Sequence, residues 1–152
     1  DGTNWTTSPG SLSTARIAMV AAGTQTAALA AGGNAGGSPS YSTATEEYDG
    51  SSWTAGGALL TGRNEIVGSG TQTAALGFGG NTGSYTTATE GYDGTAWSTR
   101  PSMATARINL NSAGTTSTAA LAIGGFAPPY TNATEEFTGD TSALNIKTIT
   151  TS

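Results

Sequence analysis

The run "AALAAGG" at residues 27–33 returns as "AALGFGG" at 74–80 and as "AALAIGG" at 119–125. Each copy is an apolar run closed by a Gly-Gly doublet, and the second glycine moves from 33 to 80 to 125, spacings of 47 and 45 residues. Working outward from the doublets, other residues keep the same rhythm. Arg opens a short stretch at 16, 63 and 107, and Trp recurs at 5, 53 and 97. The acidic stretch "ATEEYDGSSW" (44–53) is repeated as "ATEGYDGTAW" (88–97) and "ATEEFTGDTS" (133–142). A period in the mid-forties without sustained helical periodicity marks a four-stranded β unit rather than a helical repeat.

Composition points the same way. Of 152 residues, 36% are hydrophobic and 10% charged, while 23 glycines accompany abundant Thr, Ser and Ala. Such a chain favours short strands and tight turns, so an all-β fold is expected. Five Lys and Arg against ten Asp and Glu give a net charge of -5, with no basic patch to compete for phosphates, and no nucleic-acid partner is expected. The chain has neither Cys nor His. This excludes disulfides, thiolate nucleophiles, a Ser-His-Asp triad and a HExxH zinc site. No apolar run approaches the roughly 20 residues that cross a bilayer, and no membrane insertion is expected.

Each period divides into four strands. "IAMVAAG", "NEIVGSG" and "INLNSAG" follow the arginines as small-residue strands suited to a crowded axis. Turns "GTQT" at Gly23 and Gly70, and "GTTS" at Gly114, lead into the strand ending in the doublet (Gly32 and Gly33, Gly79 and Gly80, Gly124 and Gly125). The doublet glycines are expected to bend the strand or admit another backbone. After a variable loop come the "TEEYD" strand, a "DG" turn and the Trp strand. This places Tyr48, Tyr92 and Phe137, with Trp5, Trp53 and Trp97, on the outer part of the unit, over the seam to the next unit.

The pattern of a leading Arg, a Gly-Gly doublet, a Tyr in the third strand and a Trp in the fourth resembles the kelch repeat from Trp5 to about Phe137. That resemblance implies a β-propeller whose top-face loops bind a partner. "GTQTAALGFGG" followed by "ATEGYDGTAW" is also similar to kelch-like repeat proteins of marine phages and their hosts, which implies a tail or fibre component in a virion or extracellular setting. The last unit departs from the pattern, with Phe137 in place of Tyr and no Trp in "DTSALNIKTITTS".

The expected architecture is a kelch-type β-propeller segment of three four-stranded blades plus a leading outer strand. Residues 1–15 would form the outer strand and exit loop of a preceding blade, 16–62 the first blade, 63–106 the second and 107–152 an atypical terminal blade. Because propellers close with roughly 4–8 blades, further blades are expected from the same longer chain or from other copies. Either Trp5 or "ALNIKTIT" (143–150) could supply the last outer strand, the latter with Leu144, Ile146 and Thr148 on one face.

Three sets of residues are candidates for chemistry. The carboxylates Glu46, Glu47, Asp49, Glu90, Asp93, Glu135 and Glu136 could suggest a glycosidase or a calcium site. Adjacent Glu residues on a strand point to opposite faces, however, and "DG" is a hairpin turn, so they read as an outer hairpin with carboxylates in solvent or pairing locally. Arg16, Arg63 and Arg107 read either as partners of acids and carbonyls at a unit junction or as a ring that holds an anion or sugar hydroxyl. Tyr41, Tyr85 and Tyr130 lie in the variable loops, which leave the same edge as the Arg-bearing loops. They read as ligand-stacking rings or as lids over their own loops. The sequons at Asn4 and Asn132 are of the kind a Thr- and Ser-rich chain contains by chance. No cofactor and no metal site are expected. The expected role is a non-enzymatic structural or receptor-binding element that recognises a cell-surface glycan or protein. A purely architectural filament subunit and a glycan-acting enzyme are the alternatives.

Overall fold

A computed structural model describes residues 2–37 and 40–139. Among them there is no helix, and eleven strands form three antiparallel sheets. The first sheet runs β1 (Val20–Thr24), β2 (Ala27–Ala31), β3 (Thr45–Tyr48), β4 (Trp53–Ala55), each strand paired with the next. The second repeats that order as β5 (Val67–Thr71), β6 (Ala74–Phe78), β7 (Thr89–Tyr92), β8 (Trp97–Arg100). The third contains β9 (Asn111–Thr116), β10 (Ala119–Ile123) and β11 (Thr134–Thr138). β1 lies against β5, and β5 against β9, so the sheets approach one another along their first strands.

Local chemistry explains the strand ends. In the first two sheets a two-residue turn, Gln25-Thr26 or Gln72-Thr73, joins the first pair of strands. The third repeat has one residue more here. Its turn moves on to Ser117-Thr118 instead of lying directly after Gly114, and a register shift between Ala119 and Leu121 absorbs the excess. The outer hairpins turn on Asp49 and Asp93, whose Oδ1 atoms accept the N–H groups two and three residues onward at 2.8–2.9 Å. The doublets admit another backbone, as expected. A Cβ on Gly33 would lie 2.6 Å from Ile17 O, and one on Gly80 would lie 2.7 Å from Asn64 O. The same glycines donate their N–H groups to Arg63 O and Arg107 O of the following repeat, at 2.7 and 2.9 Å. Three non-glycine residues, Ala18, Glu65 and Asn109, hold φ between 50° and 55° at matching places two residues after each Arg.

Two cores fill the seams. Val20, Leu29 and Ala31 of the first sheet meet Ile66, Ala75, Tyr92 and Trp97. Leu76 and Phe78 of the second sheet meet Leu110, Ala120 and Ala122. The second sheet thus uses alternate residues of β6 toward its two neighbours, as a strand buried on both faces must. Gly68 is required in the first seam, because a Cβ there would sit 2.7 Å from Val20 Cγ1 and 2.1 Å from Leu76 O. Polar bonds cross the same seam: Trp97 Nε1 donates to Thr45 Oγ1 at 2.9 Å, the Tyr92 hydroxyl to Glu47, and Gln72 Nε2 to Tyr48 O at 2.7 Å and Ala28 O at 3.2 Å. The outer aromatics therefore do cover a seam, but the one toward the preceding sheet.

Two expectations change. Residues 2–15 contain no strand, and Trp5 is fully exposed. This segment is tied down by single contacts, Ser8 Oγ to the Tyr48 hydroxyl at 2.7 Å and Ser13 N to Glu46 Oε2 at 2.8 Å, rather than by a backbone ladder. The third sheet has three strands among the described residues, and the candidate outer strand at 143–150, with the rest of the terminal unit beyond Gly139, lies outside them.

Candidate functional site

Each arginine enters from the loop before its sheet and turns inward. Arg16 Nη1 donates to Gly32 O and Ala44 O, and Nη2 pairs with Glu46 Oε1 at 2.5 Å. Arg63 repeats this with Gly79 O, Ala88 O and Glu90 at 2.7 Å, and Arg107 with Gly124 O, Ala133 O and Glu135 at 2.6 Å. The second oxygen of each Glu accepts the N–H three residues before the Arg, from Ser13, Leu60 and Ala104. With side-chain exposures of 1%, 0% and 0%, the guanidiniums have no face on solvent, and pairing is the reading that the geometry carries for all three. Glu46 and Glu90 are correspondingly buried, whereas the sequence placed their carboxylates in solvent or in local pairs. Their partners are 30 and 27 residues away.

The charges are tuned accordingly. Burial pushes the Glu46 carboxyl up, but the Ser13 N–H and the Arg16 guanidinium outweigh it and hold the group below its ordinary value. Burial lowers Arg63, with Glu90 opposing. The Tyr92 hydroxyl is pushed up to about 12 by burial and by its bond to Glu47. A depressed carboxyl stabilises the fold fully above its unfolded value of about 4.3, and this contribution is lost as pH falls through the folded value. Urea titrations between about pH 7 and about pH 3 should therefore show the native chain losing stability more steeply than a Glu46→Gln variant, which begins less stable but is flatter in pH.

The remaining acids have local tasks. Glu47 accepts from Tyr92, Asp49 and Asp93 hold their turns, and Glu136 is exposed on β11. Among the described residues no cluster of three or more acids is placed to hold a metal ion.

The tyrosine loops are arranged differently. Short bridges, Ile17 to Asn34, Asn64 to Asn81 and Ile108 to Phe126, join each Arg-bearing loop to the loop after its doublet, so both sets share one end of the molecule. In the second repeat Asn81 Oδ1 accepts Gly83 N at 2.8 Å, and Asn81 bridges Tyr85. In the third repeat a phenylalanine stands at the corresponding place. The Phe126 ring lies 5.0 Å from Tyr130 and 6.0 Å from Tyr85 of the neighbouring repeat, both contacts edge-on. Tyr85 and Tyr130 are 36% and 85% exposed, while Phe126 between them is half-buried. Tyr41 is half-buried in a loop pinned by Asn64 Nδ2 to Ser40 O at 3.1 Å, and takes no part in this row. Phe126 was not singled out from the sequence. The signal was available in the doublets, which continue as "GGN", "GGN" and then "GGF". The seam beneath, between the second and third sheets, contains a cavity of about 60 Å³ beside Met103, Glu135 and Phe137, where the first seam is filled by Trp97.

No protein-family model matches this chain, and no curated protein matches it.

Proposed function

We propose that this chain is a non-enzymatic recognition element, a segment of a kelch-type β-propeller that binds a cell-surface glycan through its loop end in an extracellular or virion setting. The observation that carries this reading is the row Tyr85, Phe126 and Tyr130, in which loops from two repeats bring exposed rings together on a rigid edge-on stack. Sugar rings stack on such faces, and the neighbouring Thr82, Ser84, Thr131 and Asn132 supply the hydroxyls and amide that hydroxyl-rich ligands need. The approach of the three sheets along β1, β5 and β9 supports the propeller geometry. The internal pairing of the three arginines supports binding over acid-base chemistry, since the buried guanidiniums and carboxylates are already engaged with one another.

Tyr130→Ala and Tyr85→Ala should each weaken glycan binding on the order of tenfold without moving the unfolding midpoint, as exposed aromatic anchors do. Equilibrium titration with glycans selected on an array is the measurement. Unchanged affinity in both variants, or no glycan bound at all with a protein receptor captured instead, overturns the glycan reading. A purely architectural role is the second reading, favoured by one observation: one face of the third sheet is uncovered among the described residues.

A further inference from the structure

Equivalent residues of the three sheets have unequal surroundings. Leu29 and Leu76 are 1% and 0% exposed, because the following sheet covers them, yet Leu121 at the same place in the third sheet is 36% exposed and Ile123 is 38% exposed. Thr45 and Thr89 are buried, but Thr134 is exposed, and Glu136, the counterpart of Glu47, is exposed as well. At the other end, the first sheet holds Tyr48 and Trp53 with ring centroids 5.1 Å apart and 35° between planes, Tyr48 only 7% exposed because the segment carrying Ser8 lies over its hydroxyl. This is nearly the geometry of Tyr92 and Trp97, 5.1 Å and 37°, which lock the second sheet onto the first. Trp53 is half-buried, and Gln25, the counterpart of the seam-crossing Gln72, is exposed.

We infer that the face of the third sheet left uncovered among the described residues docks the Tyr48-Trp53 face of a second copy's first sheet, reproducing between molecules the seam that joins the first and second sheets within one. The groups correspond one by one. Trp53 of the arriving copy would donate to Thr134 as Trp97 does to Thr45, and its Tyr48 to Glu136 as Tyr92 does to Glu47. Its Gln25 would donate to Ala120 O and Phe137 O as Gln72 does to Ala28 O and Tyr48 O. The apolar contact would fall on Leu121 and Ile123, while Asn111 takes the place held by Val20 and Val67. The occupant is a second copy because its donors match the acceptors on this face in kind and order. Ser8, which shares a hydrogen bond with the Tyr48 hydroxyl, would give that bond up to Glu136. Such a contact is head-to-tail: two copies bring six sheets, a number that closes a ring, and without closure the same contact builds a filament. This inference is independent of the tyrosine loops.

Light scattering on the unsubstituted 152-residue chain, across a dilution series, tests it with three variants. The native chain should give at least twice its 14.9 kDa mass. Leu121→Arg on one face and Trp53→Ala on the other should each be monomeric with an unchanged circular dichroism spectrum, and Gln25→Lys replaces Trp53→Ala if the latter unfolds. Mixing the two single-face variants should restore a dimer and nothing larger, because one intact pair of faces survives between them. A native chain that stays at 14.9 kDa overturns the inference, and residues beyond Gly139 then become the candidate cover for this face. Variants that leave the native assembly intact also overturn it, as do folded monomeric variants that fail to combine.

Discussion

Arg63→Met is expected to cost about 3–5 kcal/mol, because it strands a carboxylate that was buried as half of an ion pair. Glu90 is 5% exposed at its side chain, and without Arg63 only the Leu60 N–H at 2.8 Å remains to it. Gly79 O and Ala88 O lose their guanidinium donor at the same time. Arg107→Met removes the same set of bonds but should cost clearly less, since Glu135 is 24% exposed and water can solvate it. The double variant Arg63→Met/Glu90→Leu should recover part of the loss, as replacing both members of a buried pair commonly does. Urea unfolding at neutral pH is the measurement, and a midpoint for Arg63→Met no lower than for Arg107→Met would be the contrary result. A chain of this size should melt on the order of 10 °C earlier for such a loss.

Trp97→Ala is expected to be equally severe, about 3–5 kcal/mol, for an apolar reason. The ring is 4% exposed, lies against Tyr92 and donates to Thr45 Oγ1 across the seam, so truncation opens a cavity and leaves a buried hydroxyl without its donor. Trp97→Phe should keep most of the packing and lose the hydrogen bond alone. Trp53→Ala, the same change at a half-buried copy of the motif, should cost much less. Thermal unfolding of the three variants side by side decides this, and equal losses at residues 53 and 97 would show that the seam gives Trp97 no special support.

The repeat was legible because its period is carried by residues with strong local preferences: the doublets end β2 and β6, "DG" turns the outer hairpins, and small residues fill β1 and β5. What could not be read were relations between repeats. No spacing rule links Arg16 to Glu46 across 30 residues, so the acids looked solvated when two of them are buried. Trp5 matched the period but has no partner edge to pair with, and periodicity alone cannot distinguish a strand from an unpaired copy of its sequence. The same holds for the three arginines, whose recurring place in the period gave two readings, and it was burial that separated them. At the loop end the tyrosines were visible as a set, but their grouping was not. It depends on one ring, Phe126, that replaces an asparagine and turns two separate loops into one surface.

The inward-turned arginines also bear on how the chain is made. Synthesis proceeds from the N-terminus, so each guanidinium emerges before all of its own partners: Gly79 O trails Arg63 by 16 residues, Ala88 O by 25 and the Glu90 carboxylate by 27. Until that Glu leaves the ribosome, the guanidinium has carbonyl acceptors at most and no counter-charge, and the unit cannot shut. The aromatic lock comes later still, since Trp97 follows the Thr45 it binds by 52 residues. Short-range closure first and long-range docking second is the order that the entropy of loop closure favours. Each finished sheet then stands as a template for its successor, and the nascent chain grows by addition rather than by one global collapse.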